Sequence, residues 1–135
     1  MICWKVLVTG SRDWPDDAQG RGRIRDALRW TQAAVALPCV LVHGDARGAD
    51  RIAAGLAKEM GWEVRPYAVD KALDGAWPGA GPKRNQRMLD AENKRDEPID
   101  AAYAFPMPDA RGTWDMVRRL SVAGIRARIV HLEEL

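Results

Sequence analysis

One stretch, residues 40–50, constrains the fold of this chain more than any other. It begins with three branched apolar residues, Val40-Leu41-Val42, and continues through a polar turn that holds Gly44 and Gly48. From Ala49 onward, apolar residues recur at helical spacing. A strand, a glycine turn and a helix in this order expose free backbone N–H groups at the positive end of the helix dipole. Such a junction is where proteins most often hold an anionic ligand, above all a phosphate.

Apolar runs alternate with segments of helical spacing along the whole chain. This alternation predicts an α/β fold, a three-layer, doubly wound parallel sheet of about five strands in the order 3-2-1-4-5. Residues 70–83, rich in Gly, Ala and Pro, are predicted as a loop, and Pro66 fits only near the end of the third strand or on an edge strand. The predicted strands cover residues 3–9, 39–42, 62–67, 99–105 and 125–130, and the predicted helices cover 17–35, 49–60, 82–94 and 112–123.

Composition narrows the class of protein. A chain of 135 residues with 47% hydrophobic content is the size of one domain, so residues 1–135 are predicted to form a single unit. The net charge of +2 is too small to indicate a nucleic-acid partner by itself. No apolar run approaches the roughly 18 residues of a membrane span, which predicts a cytoplasmic protein without a membrane partner. Cys3 and Cys39 are interpreted as buried thiols, and no metal or cofactor is expected.

The first strand also ends in a polar turn that suits an anion. Gly10 permits close approach to the main chain, Ser11 offers a hydroxyl, and Arg12 can pair with phosphate through two parallel hydrogen bonds. Trp14 follows in the same turn, where its ring can stack on a ligand. At the second junction the predicted ligand contacts are His43, Gly44, Asp45, Gly48, Ala49 and Asp50.

Three side chains of the second junction have two interpretations each. His43 is either a general base or ligand contact, because its pKa lies near neutrality, or a side chain that satisfies backbone groups at the strand end. Asp45 either binds ribose hydroxyls or acts in catalysis, or it forms an Asx turn. Asp50 lies in the first helical turn, where it either contacts the ligand or complements the helix dipole.

Two further segments place polar residues close to helix starts, namely the loop 70–83 with the helix after it, and the turn that follows the fourth strand. Thr113 serves there either as a helix cap or as a phosphate contact. Because the carboxyl ends of parallel strands meet at one edge of a sheet, we expect all these junctions to converge on one nucleotide-like ligand. The predicted contacts from these two segments are Trp77, Gly81, Arg84, Asn85, Arg111, Gly112 and Thr113.

Four motifs in this order, residues 9–14, 43–50, 80–88 and 111–117, resemble the YspA-type, cpYpsA-related branch of the SLOG superfamily. The resemblance covers almost the whole chain. It implies a Rossmann-like domain that binds a nucleotide or nucleotide-derived ligand for sensing or processing. More distant relatives are the Lonely Guy phosphoribohydrolases, which split nucleoside monophosphates at the N-glycosidic bond, and the DNA-processing protein A family, which binds single-stranded DNA.

The chain departs from the family pattern at two places. The glycine pair usual after the fourth strand is replaced by residues 106–110, Pro-Met-Pro-Asp-Ala. The acidic pair of the hydrolase branch is reduced to Asp115, which Met116 follows. The resemblance therefore leaves two alternatives beside ligand binding. One is an N-glycosidase of nucleoside monophosphates, with Asp45 and Asp115 as its candidate catalytic residues, and the other is single-stranded nucleic-acid binding. It also implies a homodimer or a higher homo-oligomer.

Overall fold

Five parallel strands form one sheet in the computed structural model, which describes residues 2–133. The strand order is β3-β2-β1-β4-β5, as the alternation of strands and helices predicts. β3 is an edge strand that ends at Pro66, and this confirms the reading of that proline. The strands are β1 (Trp4–Gly10), β2 (Cys39–His43), β3 (Glu63–Pro66), β4 (Ala101–Phe105) and β5 (Arg128–Ile129).

Five helices connect the strands, one more than the sequence predicts. The extra helix lies inside the predicted loop 70–83, because the Asp70 side chain accepts hydrogen bonds from the N–H groups of Ala72 and Leu73 and starts a helical turn there. The next helix begins at Ala80, two residues before Pro82. The helices are α1 (Ala18–Val35), α2 (Ala49–Glu59), α3 (Lys71–Asp74), α4 (Ala80–Glu92) and α5 (Arg111–Val122).

The helices cover both faces of the sheet, because side chains alternate along each strand. On one face, Val6 and Val8 of β1 pack with apolar residues of α1 and α2. On the other face, Leu7 packs with Met88 of α4 and Leu120 of α5. None of the helices in residues 2–133 is long and apolar enough to cross a bilayer. This arrangement leaves the carboxyl ends of β1 and β4, where the strand order reverses, as the natural place for a ligand.

The cysteines differ in their surroundings. Cys39 is buried at the start of β2, as expected. Cys3 is only partly buried and precedes β1, which begins at Trp4. The fifth strand is also shorter than predicted, since only Arg128 and Ile129 pair with β4.

A buried ion cluster joins β1, β3 and the end of α4. Lys5 is 1% exposed, and its Nζ lies 3.0 Å from a Glu92 carboxylate oxygen and 3.3 Å from one of Glu97. Arg65 donates to the same two carboxylates, and the Tyr67 hydroxyl donates to Glu92. A buried charge that loses its partner costs far more than an exposed one, so we expect Glu92 to matter strongly for stability.

Replacing Glu92 tests this cluster. Glu92→Gln is expected to lower the free energy of unfolding at pH 7 by about 3–5 kcal/mol, because Lys5 keeps only the half-exposed Glu97 as its acidic partner. Glu97→Gln, on the same lysine, is expected to cost about 1 kcal/mol or less. Urea denaturation of the two variants measures the difference.

The cost of Glu92→Gln depends on pH. Burial alone would raise the pKa of Glu92, but hydrogen bonds from Tyr67, Lys5 and Arg65 outweigh it and hold the pKa below its ordinary 4.5. A carboxyl group of this kind stabilises the fold above its unfolded pKa, and the contribution is lost as pH falls through the folded pKa. We expect the full difference at pH 7 and a shrinking one below 4.5, and a constant difference would contradict the assignment.

Candidate functional site

A cleft of about 610 Å³ lies at the carboxyl ends of the strands, where all the predicted junctions meet. The first junction contributes its main chain, the second contributes the loop before α2, and the starts of α4 and α5 contribute the other walls. The volume is in the usual range for a small-molecule site. The predicted residues that line the cleft are Gly10, Ser11, Arg12, Gly44, Asp50, Trp77, Gly81, Arg84, Asn85, Arg111, Gly112, Thr113 and Asp115.

Trp14 does not line the cleft, so its prediction as a ligand contact is wrong. It is 2% exposed, its Nε1 donates to the Gly20 carbonyl at 2.9 Å, and its ring packs edge-on against Phe105 with centroids 5.4 Å apart. Its ring therefore has no open face for a ligand. The polar turn around Trp14 suggested exposure, but the apolar face of the indole belongs to the core beneath α1.

His43 has the structural role of its two predicted roles, since it satisfies a backbone group at the end of β2. It is 2% exposed, and its Nδ1 accepts a hydrogen bond from the Asp45 N–H at 2.9 Å. Burial lowers the pKa of His43 to about 4, so the ring is neutral at pH 7. Asp45 lies outside the cleft lining, adopts φ +54° and pairs with Arg51 at 3.6 Å. The two candidate catalytic carboxylates, Asp45 and Asp115, therefore do not share the cleft.

Gly48 and Ala49 support the cleft without lining it. The Ala49 N–H donates to the Ser11 carbonyl at 3.2 Å, and a Cβ on Gly48, at φ +81°, would lie 2.4 Å from the same oxygen. A Cβ on Gly10 would lie 2.3 Å from the Ala49 Cβ. These residues fasten the first junction to the second, and only glycine fits the close approach.

Three helices begin at the cleft without a side-chain cap. They are α2, α4 and α5, whose N-cap residues are Gly48, Gly79 and Ala110. The other two helices, α1 and α3, are capped by the side chains of Asp17 and Asp70. Since the first N–H groups of a helix lack intrahelical acceptors, an uncapped start leaves donors and positive potential for a ligand.

Five arginines and four aspartates line the cleft. Arg12 stands 5.1 Å over the ring of Trp77, which is 58% exposed. Within residues 2–133, no carboxylate lies within ion-pair distance of Arg12, so its charge faces the cleft unneutralised. The other arginines are Arg47, Arg84, Arg111 and Arg118, and the aspartates are Asp13, Asp50, Asp109 and Asp115.

Arg47 and Arg118 are two cleft residues that the sequence analysis missed. Arg47 lies 3.9 Å from Asp13, and its place inside the second glycine turn was a signal that could have found it. Arg118 lies inside α5, and its Nη2 donates to Asp115 at 2.7 Å. Three-residue spacing from Asp115 on a helix was the only signal, and many solvent-exposed pairs share it.

Arg84 packs against the main chain of the second junction. Its Nη1 donates to the carbonyls of Gly44 and Tyr67, and its Nε donates to Asn85 at 3.1 Å. A Cβ on Gly44 would lie 2.7 Å from the guanidinium carbon, so the glycine makes room for this side chain. Burial lowers the pKa of Arg84.

Asp115 is held as a carboxylate by three donors. Asn85, Arg118 and Arg119 donate to its two oxygens at 3.0, 2.7 and 2.9 Å. Burial alone would raise the pKa of Asp115, but the hydrogen bonds from Arg119 and Asn85 outweigh it and keep the pKa below its ordinary value. The group is therefore ionised at pH 7 and fixes the start of α5 against α4.

Asp50, unlike Asp115, has one carboxylate oxygen without a hydrogen-bond partner among the described residues. It lines the cleft although only 4% exposed, and its Oδ2 accepts from the N–H groups of Gly44 at 3.1 Å and Ala46 at 3.4 Å. Among the residues that the structure describes, its Oδ1 is the one buried side-chain oxygen or nitrogen without a hydrogen-bond partner. Burial raises the pKa of Asp50 to about 7, against the opposing effect of the Ala46 N–H and Arg84.

Comparison with known proteins identifies the class. Residues 4–73 match the YspA, cpYpsA-related SLOG family. The chain belongs to this family. Among its relatives is the gene 61 protein of Mycobacterium phage D29, which is 37% identical over 126 residues, or 90% of this chain and 91% of the phage protein.

A solved structure has the same fold. DNA processing protein A from Streptococcus pneumoniae superposes on 93% of this chain with a TM-score of 0.51 and 19% identity. The matched region is 58% of that protein, so the chain spans little more than half of its length. At this identity the likeness establishes the Rossmann-like fold and no shared activity.

Two glycines at the cleft should respond oppositely to alanine. Gly48→Ala is expected to lower the free energy of unfolding by about 2 kcal/mol or more, because the positive φ and the Ser11 carbonyl oppose a methyl group. Gly112→Ala is expected to leave it unchanged or raise it by up to about 1 kcal/mol, since the added Cβ meets nothing within 4 Å in the first turn of α5. Urea denaturation measures both, and equal losses would contradict the described junction.

The buried Asp50 carboxyl predicts a pH-dependent stability difference. Its folded pKa of about 7 exceeds the ordinary 3.8, so the folded state holds the proton more tightly and the contribution of Asp50 to wild-type stability is lost as pH rises from 4 to 7. Asp50→Asn lacks this loss. Its free energy of unfolding should therefore gain on wild type by about 2–4 kcal/mol between pH 4 and 7. The contribution of His43 is common to both proteins and cancels.

Proposed function

We propose that this protein binds a nucleotide or nucleotide-derived ligand in the cleft, with the phosphate at the start of α5 and beside Arg12. The observation that carries the proposal is the set of three uncapped helix starts around one cleft in a SLOG fold. Backbone N–H groups at helix starts are a common phosphate site, because the donors and the dipole act together.

The start of α5 is a better place for phosphate than the start of α2. At the start of α2, the Ala49 N–H already donates to the Ser11 carbonyl, and the Asp50 carboxyl in the first turn accepts from the Gly44 and Ala46 N–H groups of the preceding loop. No side chain caps α5, and Thr113 in its first turn lines the cleft. A phosphate there would accept from main-chain N–H groups and from Arg12 across the cleft.

Trp77 is the best partner for a base. It lines the cleft, is 58% exposed, and lies on the loop between α3 and α4. Arg12 covers the ring at 5.1 Å, so the pair offers a guanidinium for phosphate and an indole for stacking at neighbouring positions. A flat aromatic ligand group can replace or extend this contact.

The charges favour a small ligand over a long nucleic-acid strand. Four aspartates stand among the five arginines of the cleft, and three of these carboxylates have arginine partners at 2.7 to 3.9 Å. Strand binding draws on many unpaired cations along a groove. Among the five arginines, Arg12 is the one with neither a carboxylate partner nor a main-chain carbonyl acceptor in residues 2–133, and this suits a single phosphate group instead.

Replacing Arg12 tests the proposed phosphate contact. Wild-type protein should show a rise in melting temperature with a nucleoside mono- or diphosphate or with NAD, and Arg12→Ala should bind about tenfold or more weakly, since it loses a charge-assisted hydrogen bond. Arg29→Ala, on the exposed face of α1, is the matched control and should keep wild-type binding. Equal melting shifts in all three proteins would count against the site, and no shift with any ligand would overturn the function.

A further inference from the structure

Asp50 supplies an anion to the helix start that would otherwise attract the ligand's phosphate. Its Oδ2 accepts from two main-chain N–H groups of the loop before α2, at 3.1 and 3.4 Å. A second anion at the same donors would meet both a shortage of N–H groups and repulsion from the ionised carboxyl. A nucleotide that binds in the cleft would therefore place an uncharged part beside Asp50.

The other oxygen of Asp50 requires a partner. Oδ1 is sealed from solvent and has no hydrogen-bond partner among residues 2–133, although the residue lines the cleft. An unsatisfied buried acceptor costs free energy, which a ligand recovers if it brings a donor. Both the base and the sugar of a nucleotide carry uncharged donors. Since the base is assigned to Trp77, the hydroxyl groups of the sugar are left for Asp50.

We propose that Asp50 Oδ1 accepts a hydrogen bond from the 2′- or 3′-hydroxyl of a ribose, so that the cleft selects ribonucleotides over the deoxy form that lacks the contacting hydroxyl. The inference rests on the proposed nucleotide binding and adds to it the sugar class and the direction of the ligand. The phosphate points to the start of α5 and the ribose to the start of α2.

The proposed hydroxyl reaches Asp50 past the side chain of Arg84. The side chain lies over Gly44, where its guanidinium stands 2.7 Å from the place of a Cβ, and it lies close enough to Asp50 to oppose the rise of its pKa. Because it is a long side chain held by carbonyl oxygens, it can move without any change in the main chain. In this proposal, a displacement of Arg84 from Gly44 lets the hydroxyl approach Asp50 from the cleft.

The groups that face Asp50 decide the direction of the pH effect. Arg84 of α4 favours the ionised carboxyl, and Asp45 of the same loop disfavours it. His43 is neutral near pH 7, because burial lowers its pKa to about 4. An ionised carboxyl is the stronger acceptor for a hydroxyl, so ribose preference rises with pH through about 7 and ribonucleotide binding releases a proton from Asp50.

Matched sugars test the proposal. Dissociation constants are measured by calorimetry for ribonucleoside 5′-mono- and diphosphates and for their 2′-deoxy and 3′-deoxy forms, between pH 5.5 and 8.5. We expect wild type to bind at least one deoxy form about tenfold more weakly at high pH, with a smaller ratio at low pH. Buffers of different ionisation enthalpy should report proton release with the ribonucleotide in excess of the deoxy form, whose phosphate ionises equally.

Asp50→Asn keeps an oxygen for the Gly44 and Ala46 N–H groups and places an NH₂ where Oδ1 stood. The variant should lose the ribose preference and its pH dependence. Asp26→Asn removes one charge from an exposed position of α1, outside the cleft, and should keep both. Should Asp50→Asn fail to fold, the pH dependence of the wild-type ratio decides alone.

The outcomes separate the two proposals. Equal binding of ribose and both deoxy forms by wild type, or an unchanged ribose preference in folded Asp50→Asn, overturns the role of Asp50 and leaves nucleotide binding intact. Failure of every nucleotide to bind wild type overturns the proposed function and this inference together.

Discussion

The site depends on the close approach of two main-chain segments. The Ala49 N–H reaches the Ser11 carbonyl at 3.2 Å, and Gly48 passes the same oxygen at a distance that leaves no space for a Cβ. This contact sets the distance between the turn after β1 and the start of α2. Since Arg12 follows Ser11 and Asp50 follows Ala49, the contact also fixes the two polar groups that we assign to phosphate and sugar. A methyl group at Gly48 would separate them.

Helix starts in this protein fall into two groups that differ in their chemistry. Asp17 and Asp70 cap helices with their own side chains and satisfy the donors there. The helices that meet at the cleft lack such caps, and the Asp50 carboxyl in the first turn of α2 accepts instead from N–H groups of the preceding loop. Because no side chain caps α5, its first N–H groups are left for a partner from solution, except that of Arg111, which donates to the Asp109 carbonyl. The distribution of caps therefore separates supporting helices from those to which we assign ligand binding.

The strand order and the meeting of the junctions were predictable, because parallel strands with glycine turns at their ends allow few arrangements. Trp14 was not, since a polar turn in the sequence does not reveal that the indole turns back under α1. Arg118 was hidden because its role depends on the angle at which α5 meets α4. The lack of a hydrogen-bond partner for Asp50 Oδ1 follows from the packing of three segments, and no local sequence pattern predicts it. Asp70 capped a short helix inside a stretch whose glycines and prolines had indicated only a loop.

The buried lysine of β1 has a consequence for how this family can change. Lys5 and its acidic partners hold β1, β3 and α4 together at a point five residues before Gly10, or about 16 Å along an extended strand. The ion cluster that holds the scaffold and the residues that line the cleft thus lie in separate parts of the fold. Substitutions in the cleft can change which ligand is bound while the ion cluster around Lys5 keeps the fold intact. Descendants of such a chain are free to acquire new ligands without first acquiring a new fold.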